Sequence, residues 1–203
     1  VWFMEYTFTH LGINMTGATP FWRAAHALDL GAMEILVAAG ADADIPTVNV
    51  PRGRGGFGRG GPAAGRADPS GLDPASPGGP GVYPIHAASG HGYGIGYAGN
   101  SHRHVPDAWL PSLKYLVEEL GADVNTRDAN GYSPLHDAAA RGDTEMIQYL
   151  VDQGADVMVI SRRGQTTVDM ANGPSQRTQP YPAAIALLES FGAKNSNRCT
   201  SCQ

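Results

Sequence analysis

The stretch Asn130-Gly-Tyr-Ser-Pro-Leu-His-Asp-Ala-Ala-Ala-Arg-Gly142, followed by Glu145-Met-Ile-Gln-Tyr-Leu-Val151 and Gly154-Ala-Asp-Val157, recurs along the chain. A recurrence with a period of roughly 33 residues constrains folding more than any single motif, because such a unit stacks on its neighbours. Gly-Ala-Asp stands at Gly40, Gly121 and Gly154, with a shorter Gly192-Ala193 at the end. An opening proline stands at Pro20, Pro84 and Pro134, with Thr167 in its place in the last copy. Pro20 to Gly40 and Pro134 to Gly154 both span 20 residues, so the first and third copies agree without a gap.

Each landmark has a local physical reading. Proline suits the first turn of a helix, where no intrahelical partner awaits its missing N–H and its φ is already helical. Ala24-Ala25 and Ala138-Ala139 keep an inner helix thin enough for the next repeat to approach. Gly40, Gly121 and Gly154 end a second helix in the left-handed conformation. Met33, Leu36 and Val37, like Met146, Leu150 and Val151, recur at helical spacing and form the buried stripe of that outer helix.

These residues resemble the ankyrin repeat. The resemblance rests on Gly17-Ala-Thr-Pro-Phe-Trp-Arg-Ala-Ala25, Gly81-Val-Tyr-Pro-Ile-His-Ala-Ala-Ser89, Gly131-Tyr-Ser-Pro-Leu-His-Asp-Ala-Ala139 and Gly164-Gln-Thr-Thr-Val-Asp-Met-Ala-Asn172. Trp22 and Asp169 depart from it, standing where the family has histidine. It implies an all-α ankyrin-repeat solenoid of about four helix-turn-helix repeats over residues 14–193, with His86 and His136 bonding the backbone of a neighbouring turn. It also implies a non-enzymatic scaffold that holds a partner protein on the concave face. The residues mapping to exposed positions there are Arg23 and His26 on the first inner helix and Asp137, Ala140 and Arg141 on the third. Arg127, Asp128, Asn130, Arg162 and Arg163 map to the fingers, the hairpins joining successive repeats.

Three features interrupt the solenoid. Residues 46–80 are rich in Gly and Pro, carry Arg52, Arg54, Arg59 and Arg66, and add 31 residues between Gly40 and Pro84 relative to Gly121 and Pro134. They extend or replace a finger and read as a flexible, solvated loop. The alternative is an RNA-associated Arg-Gly segment, for which Phe57 is the one interleaved aromatic.

The second interruption, residues 91–111, lengthens repeat two by 17 residues and carries His91, His102 and His104 with Tyr93, Tyr97 and Trp109. It reads as an aromatic loop packed on the solenoid, and Tyr93, Tyr97 and Trp109 are candidate partner anchors. His102 and His104 are candidate metal ligands, with no helix to fix a third.

The third feature is Cys199-Thr-Ser-Cys202, the chain's two cysteines, in a polar tail over residues 194–203. A disulfide or simple tail thiols are the favoured reading. Half of a zinc site and a redox pair linked to a larger assembly stay open. Covalent haem attachment needs histidine after the second cysteine, and Gln203 stands there.

Composition limits the remaining classes. A net charge of −5 argues against general nucleic-acid binding, which depends on neutralising phosphates. No apolar run approaches the ~18 residues of a membrane span. Lysine is nearly absent beside abundant Ala, Gly, Arg and Pro, which reads as genome composition. Gly92 to Gly99 follows no strand and is a poor phosphate loop, and no spacing places an acid-base pair, so neither catalysis nor a cofactor is expected. The tail resembles a bacterial ankyrin type ending in Gly-Ala-Lys-Asn and a CxxC, which tilts the expected location toward export. Residues 1–13 read as an extended apolar piece. Either repeats precede Val1, or this segment folds back as a cap, since solenoid ends need covering.

Overall fold

A computed structural model describes residues 15–50, 68–92, 105, 107–173 and 180–196. Its helices alternate between an inner and an outer layer. The inner helices are α1 (Pro20–Ala27), α3 (Pro84–Ser89), α5 (Pro134–Arg141) and α7 (Thr167–Ala171). The outer helices are α2 (Leu30–Ala38), α4 (Trp109–Lys114), α6 (Thr144–Asp152) and α8 (Pro182–Ser190). A π-helical turn over Tyr115–Glu119 continues α4 and takes up extra chain within the outer layer of repeat two. No strand forms among the described residues; the extended chain there makes two isolated bridges, Val48 with Pro80 and Ile160 with Thr166.

Local chemistry starts these helices where the sequence places them. Pro20, Pro84 and Pro134 occupy first turns, and the Thr19 hydroxyl accepts the Trp22 N–H at 3.0 Å. Where Thr167 replaces proline, a reciprocal cap substitutes: Asp169 N–H donates to the Thr166 hydroxyl at 3.1 Å and Thr166 N–H to the Asp169 carboxylate at 2.9 Å. Asp29 and Asp143 cap the outer helices α2 and α6 in the same way as each other. Inner helices pack in a row, with Ala25, Ala88, Ala138, Ala139 and Ala171 buried between them.

One hydrogen-bond unit recurs through the stack. Each finger is closed by a pair of residues: Thr47 with Val82, Asp128 with Tyr132, and Ser161 with Gln165. The closing carbonyl of each pair then accepts a second bond from the inner helix of the preceding repeat. His86 Nε2 meets Tyr132 O at 3.0 Å and His136 Nε2 meets Gln165 O at 3.1 Å. Trp22, the departure in repeat one, does the same work, its indole N–H donating to Val82 O at 2.8 Å. Asp169, the departure in repeat four, reverses polarity. Its carboxylate accepts the Ser196 N–H at 2.9 Å and the Ser196 hydroxyl, so the chain beyond Gly192 turns back beneath the last repeat. Trp22→Phe keeps a buried ring and loses one of the two bonds to Val82 O. The expected cost is about 1 kcal/mol, read from the urea midpoint at unchanged slope.

The same closing pair locates the first interruption. Thr47 and Val82 lie 35 residues apart against 4 for Asp128 and Tyr132, yet make the same bonds. The insertion therefore extends a finger at its tip and leaves the base intact. Gly81 permits this, because a Cβ there would meet the Thr47 hydroxyl at 2.6 Å and the Thr47 carbonyl at 2.9 Å. Successive fingers are tied by backbone bonds from Val48 N–H to Thr16 O, Ala129 N–H to Gly81 O and Arg162 N–H to Asn130 O.

Candidate functional site

The concave side of the stack presents a column of equivalent inner-helix positions: Arg23, Ala87, Asp137 and Met170. Exposure along it is uneven. Arg23 is exposed, whereas Ala87 and Asp137 are 1% exposed and Met170 0%. The neighbouring position is closed too, with His26, Ala140 and Gly173 buried. Along the first column the groove is thus open at Arg23 in repeat one and covered at the equivalent positions from repeat two onward.

The second interruption ends within this region. Val105 N–H donates to Ala27 O at 3.1 Å, at the C-terminal end of the first inner helix, while its side chain is 44% exposed. Four residues later Trp109 lies under the Arg141 guanidinium, whose Cζ is 3.3 Å from the ring centroid. The returning end of the insertion therefore runs from repeat one to repeat three. Arg141 is held further by Asp143 at 2.6 Å.

Exposure of several residues read as concave-face contacts is corrected by this geometry. His26 is buried and stacks on Trp22, ring centroids 5.2 Å apart and planes at 12°. Asp128 is buried because it builds its own finger, accepting Asn130 N–H at 2.9 Å and Tyr132 N–H at 2.8 Å. Burial pushes its carboxyl up to about 6 against the pull of those bonds. Asn130 is half-buried in the same turn. Arg127 bonds the Gly131 carbonyl at 2.8 Å and the Ile160 carbonyl, tying one finger to the next.

Arg162 is a clamp. Its guanidinium bonds Ala129 O at 3.0 Å, the Asp68 carboxylate at 2.5 Å and Asp73 O at 2.5 Å, which fastens the far end of the long insertion onto the later fingers. Ser70, through its hydroxyl and N–H, and then Arg162 hold the Asp68 carboxyl down at about 2. No sequence signal marked this clamp, since its partners lie about 90 residues apart. Of the remaining finger candidates, Arg163 is half-buried.

Asp137 is the one charged-type side chain buried on the column itself. Its Oδ1 lies 3.8 Å from His91 Nδ1, and its Oδ2 has no hydrogen-bond partner. Burial first, then the nearby Asp128, drives its carboxyl well above the usual carboxylate range, with Arg141 opposing. A carboxyl whose pKa is raised on folding lowers stability as pH rises from the unfolded value through the folded one. Asp137→Asn removes that loss. We expect the variant to be more stable than the parent by roughly 1–3 kcal/mol at pH 8, with the gap closing by pH 3.5, in paired urea titrations.

Tyr93, Tyr97, His102, His104, Cys199 and Cys202 lie outside the described residues. So do the Arg-Gly segment and residues 1–13. Among the described residues no group of three or more His, Cys, Asp or Glu is placed to hold a metal ion, and no helix is long and apolar enough to cross a membrane.

Residues 101–171 match the family described as ankyrin repeats (many copies). The chain is 38% identical over 88 residues to mouse protein phosphatase 1 regulatory subunit 12A, covering 41% of this chain and 8% of that protein. It is 42% identical over 52 residues to human ankyrin repeat domain-containing protein 49, covering 26% of this chain and 22% of that protein. Rat ankyrin repeat and SAM domain-containing protein 6 is 39% identical over 82 residues, 38% of this chain and 9% of that protein. The chain thus spans less than a quarter of the length of these relatives. All three are animal proteins, and they do not bear on the bacterial, CxxC-tailed subtype. Repeat landmarks, the finger-closing bonds and these matches agree on a fold of ankyrin-type repeats stacked as an all-α solenoid among the described residues, with the family match itself covering residues 101–171.

Proposed function

We propose that this chain is a non-enzymatic scaffold that binds a partner protein at the open, repeat-one end of its concave face. Ankyrin repeats generally mediate protein–protein interaction, which supports the coarse reading. The observation that carries the finer one is the step in exposure along the inner-helix column, from Arg23 at the surface to Ala87 and Asp137 at 1%. A partner meets solvent-facing side chains at repeat one: Arg23 on α1 and Val105 beside Ala27. The Trp109–Arg141 stack lies half-buried at the edge of the same region and supplies an aromatic and an arginine, residue types that dominate interface energy.

Site-specific photo-crosslinking in source cells tests this. A benzophenone side chain at position 23 gives a discrete protein adduct that Val105→Glu abolishes, and the same group at position 189, on the exposed side of α8, gives none. No protein adduct at position 23, or equal adducts at both positions, overturns the reading.

A further inference from the structure

The long insertion lays a small folded turn onto the two later fingers. Residues 68–73 close on themselves: the Asp68 carboxylate accepts the Ser70 N–H at 2.9 Å and the Ser70 hydroxyl at 2.6 Å, and that hydroxyl accepts the Leu72 N–H at 3.3 Å. Gly71 makes the bend with φ 71°. Pro69 and Pro74 restrict the chain further and carry no N–H that needs a partner.

This turn meets the repeats at two points. Arg162 holds the second oxygen of the Asp68 carboxylate at 2.5 Å, Leu72 O at 3.4 Å and Asp73 O at 2.5 Å, while its Nε is fixed by Ala129 O at 3.0 Å. Leu72 rests where Gly131 has no side chain, its Cδ1 3.2 Å from the place a Cβ would take. Among the described residues, every hydrogen bond from 68–73 to the repeats ends on that one guanidinium, and none joins two backbones. The base of the insertion is closed separately, by Asn49 N–H to Gly79 O, Gly78 N–H to Asn49 O and the Asn49 amide to Ser76 O. Releasing the turn therefore breaks no bond of that base.

We propose that Arg162 and Gly131 form a docking site for acidic, leucine-bearing turns, which residues 68–73 fill in cis and a partner protein fills by presenting a turn of the same chemistry. Charge complementarity carries the polar half, since a guanidinium–carboxylate bond is stronger than a neutral one. The recess at Gly131 selects the leucine, because any side chain there would take the space of Leu72. A turn closed by its own side-chain bonds loses little freedom on docking. Only Pro74 and Ala75 separate the cis turn from Ser76 of the finger base, so it competes at an effective concentration on the order of millimolar or higher. The cis turn thus keeps weak competitors out and yields to a partner anchored elsewhere on the repeats. This site lies on the later fingers and stands independently of the reading at Arg23.

The test titrates the full chain with a capped peptide of residues 68–74, watching the Arg162 Nε–H and the Gly131 N–H in nitrogen–proton correlation spectra. Asp68→Ala with Leu72→Ala empties the site in cis, and the peptide should then shift both signals and saturate them. The parent chain should need about tenfold more peptide or show no shift, since its own turn competes. A control peptide carrying the same two substitutions should leave both signals of the emptied chain in place, a comparison that leaves the protein itself unaltered. No shift in the emptied chain overturns the proposal. Equal shifts from the two peptides, or equal affinity for the parent and emptied chains, overturn it as well.

Discussion

His136→Ala is expected to cost about 4 kcal/mol at pH 7.5, and the cost should fall by about 2 kcal/mol at pH 5. The imidazole is fully buried and used at both nitrogens. Nδ1 accepts Ser133 N–H at 3.2 Å, which fixes the proton on Nε2, where it is donated to Gln165 O at 3.1 Å. Truncation leaves a buried N–H without a partner, removes the repeat-three to repeat-four bond and opens a ring-sized cavity. The pH dependence follows from the neutral tautomer. Burial lowers the folded pKa from 6.5 to about 3, so between those values the unfolded chain takes up a proton that the folded chain excludes. The stability that His136 contributes is therefore complete above about pH 6.5 and is lost as pH falls toward 3. At pH 5 the loss is about 1.5 pH units at 1.36 kcal/mol each. Urea denaturation of both proteins at pH 7.5 and pH 5 checks this. A difference that is independent of pH, or that grows toward acid, would contradict the assignment. His86, lowered to about 4 by its own burial, acts in the same direction in both proteins and cancels in the comparison.

Gly142→Ala is the second large effect, with an expected loss of about 3 kcal/mol. Gly142 ends α5 with φ 69°, where a side chain costs roughly 1–2 kcal/mol. A Cβ there would also lie 2.3 Å from Cγ of the Tyr181 ring, an overlap that costs about 1–3 kcal/mol unless the ring moves. Tyr181 is the residue before α8, and its N–H bonds Ala171 O at 2.9 Å, so displacing the ring loosens the last outer helix. The two contributions are separable. In the Tyr181→Ala background the overlap disappears and only the backbone strain remains, so a double-mutant cycle should return a coupling of 1 kcal/mol or more. Additive single effects would show that the close approach contributes nothing.

These two residues also mark what a sequence can and cannot disclose about such a fold. Gly142 was not legible, since the equivalent left-handed cap is Leu28 in repeat one and Gly90, at a shorter offset, in repeat two, whereas His136 was, because it stands two residues after Pro134, an offset that His86 repeats after Pro84. Helix starts at Pro20, Pro84 and Pro134 were legible for the same reason. The job of Trp22 was not: the position announces itself by histidine, and only the indole N–H pointing at Val82 O reveals that a different ring makes the equivalent bond. Asp169 hid its role more thoroughly, since it accepts where its equivalents donate, and its partner is Ser196 of the tail.

The candidate site was less legible than the fold. Position-by-position mapping placed His26 and Asp137 on an open groove, and both are buried. That mapping assumes uniform repeats, whereas an insertion without periodicity returns across three of them, through Val105 and Trp109. The clamp of Arg162 on Asp68 and Asp73 escaped for a related reason, because contacts between an insertion and a distant finger leave no spacing to read.

The concave column is open at Arg23 in repeat one and covered at Ala87, Asp137 and Met170 beyond it. Thiol accessibility tests it most directly, using Arg23→Cys and Ala87→Cys separately in a chain whose Cys199 and Cys202 are replaced by serine. Position 23 should react with a small thiol reagent at close to the rate of an unfolded control. Position 87 should react about 100-fold more slowly or worse, since labelling there waits on local opening. Comparable rates at the two positions would mean that the column is open along its length and that repeat one offers no distinct docking end.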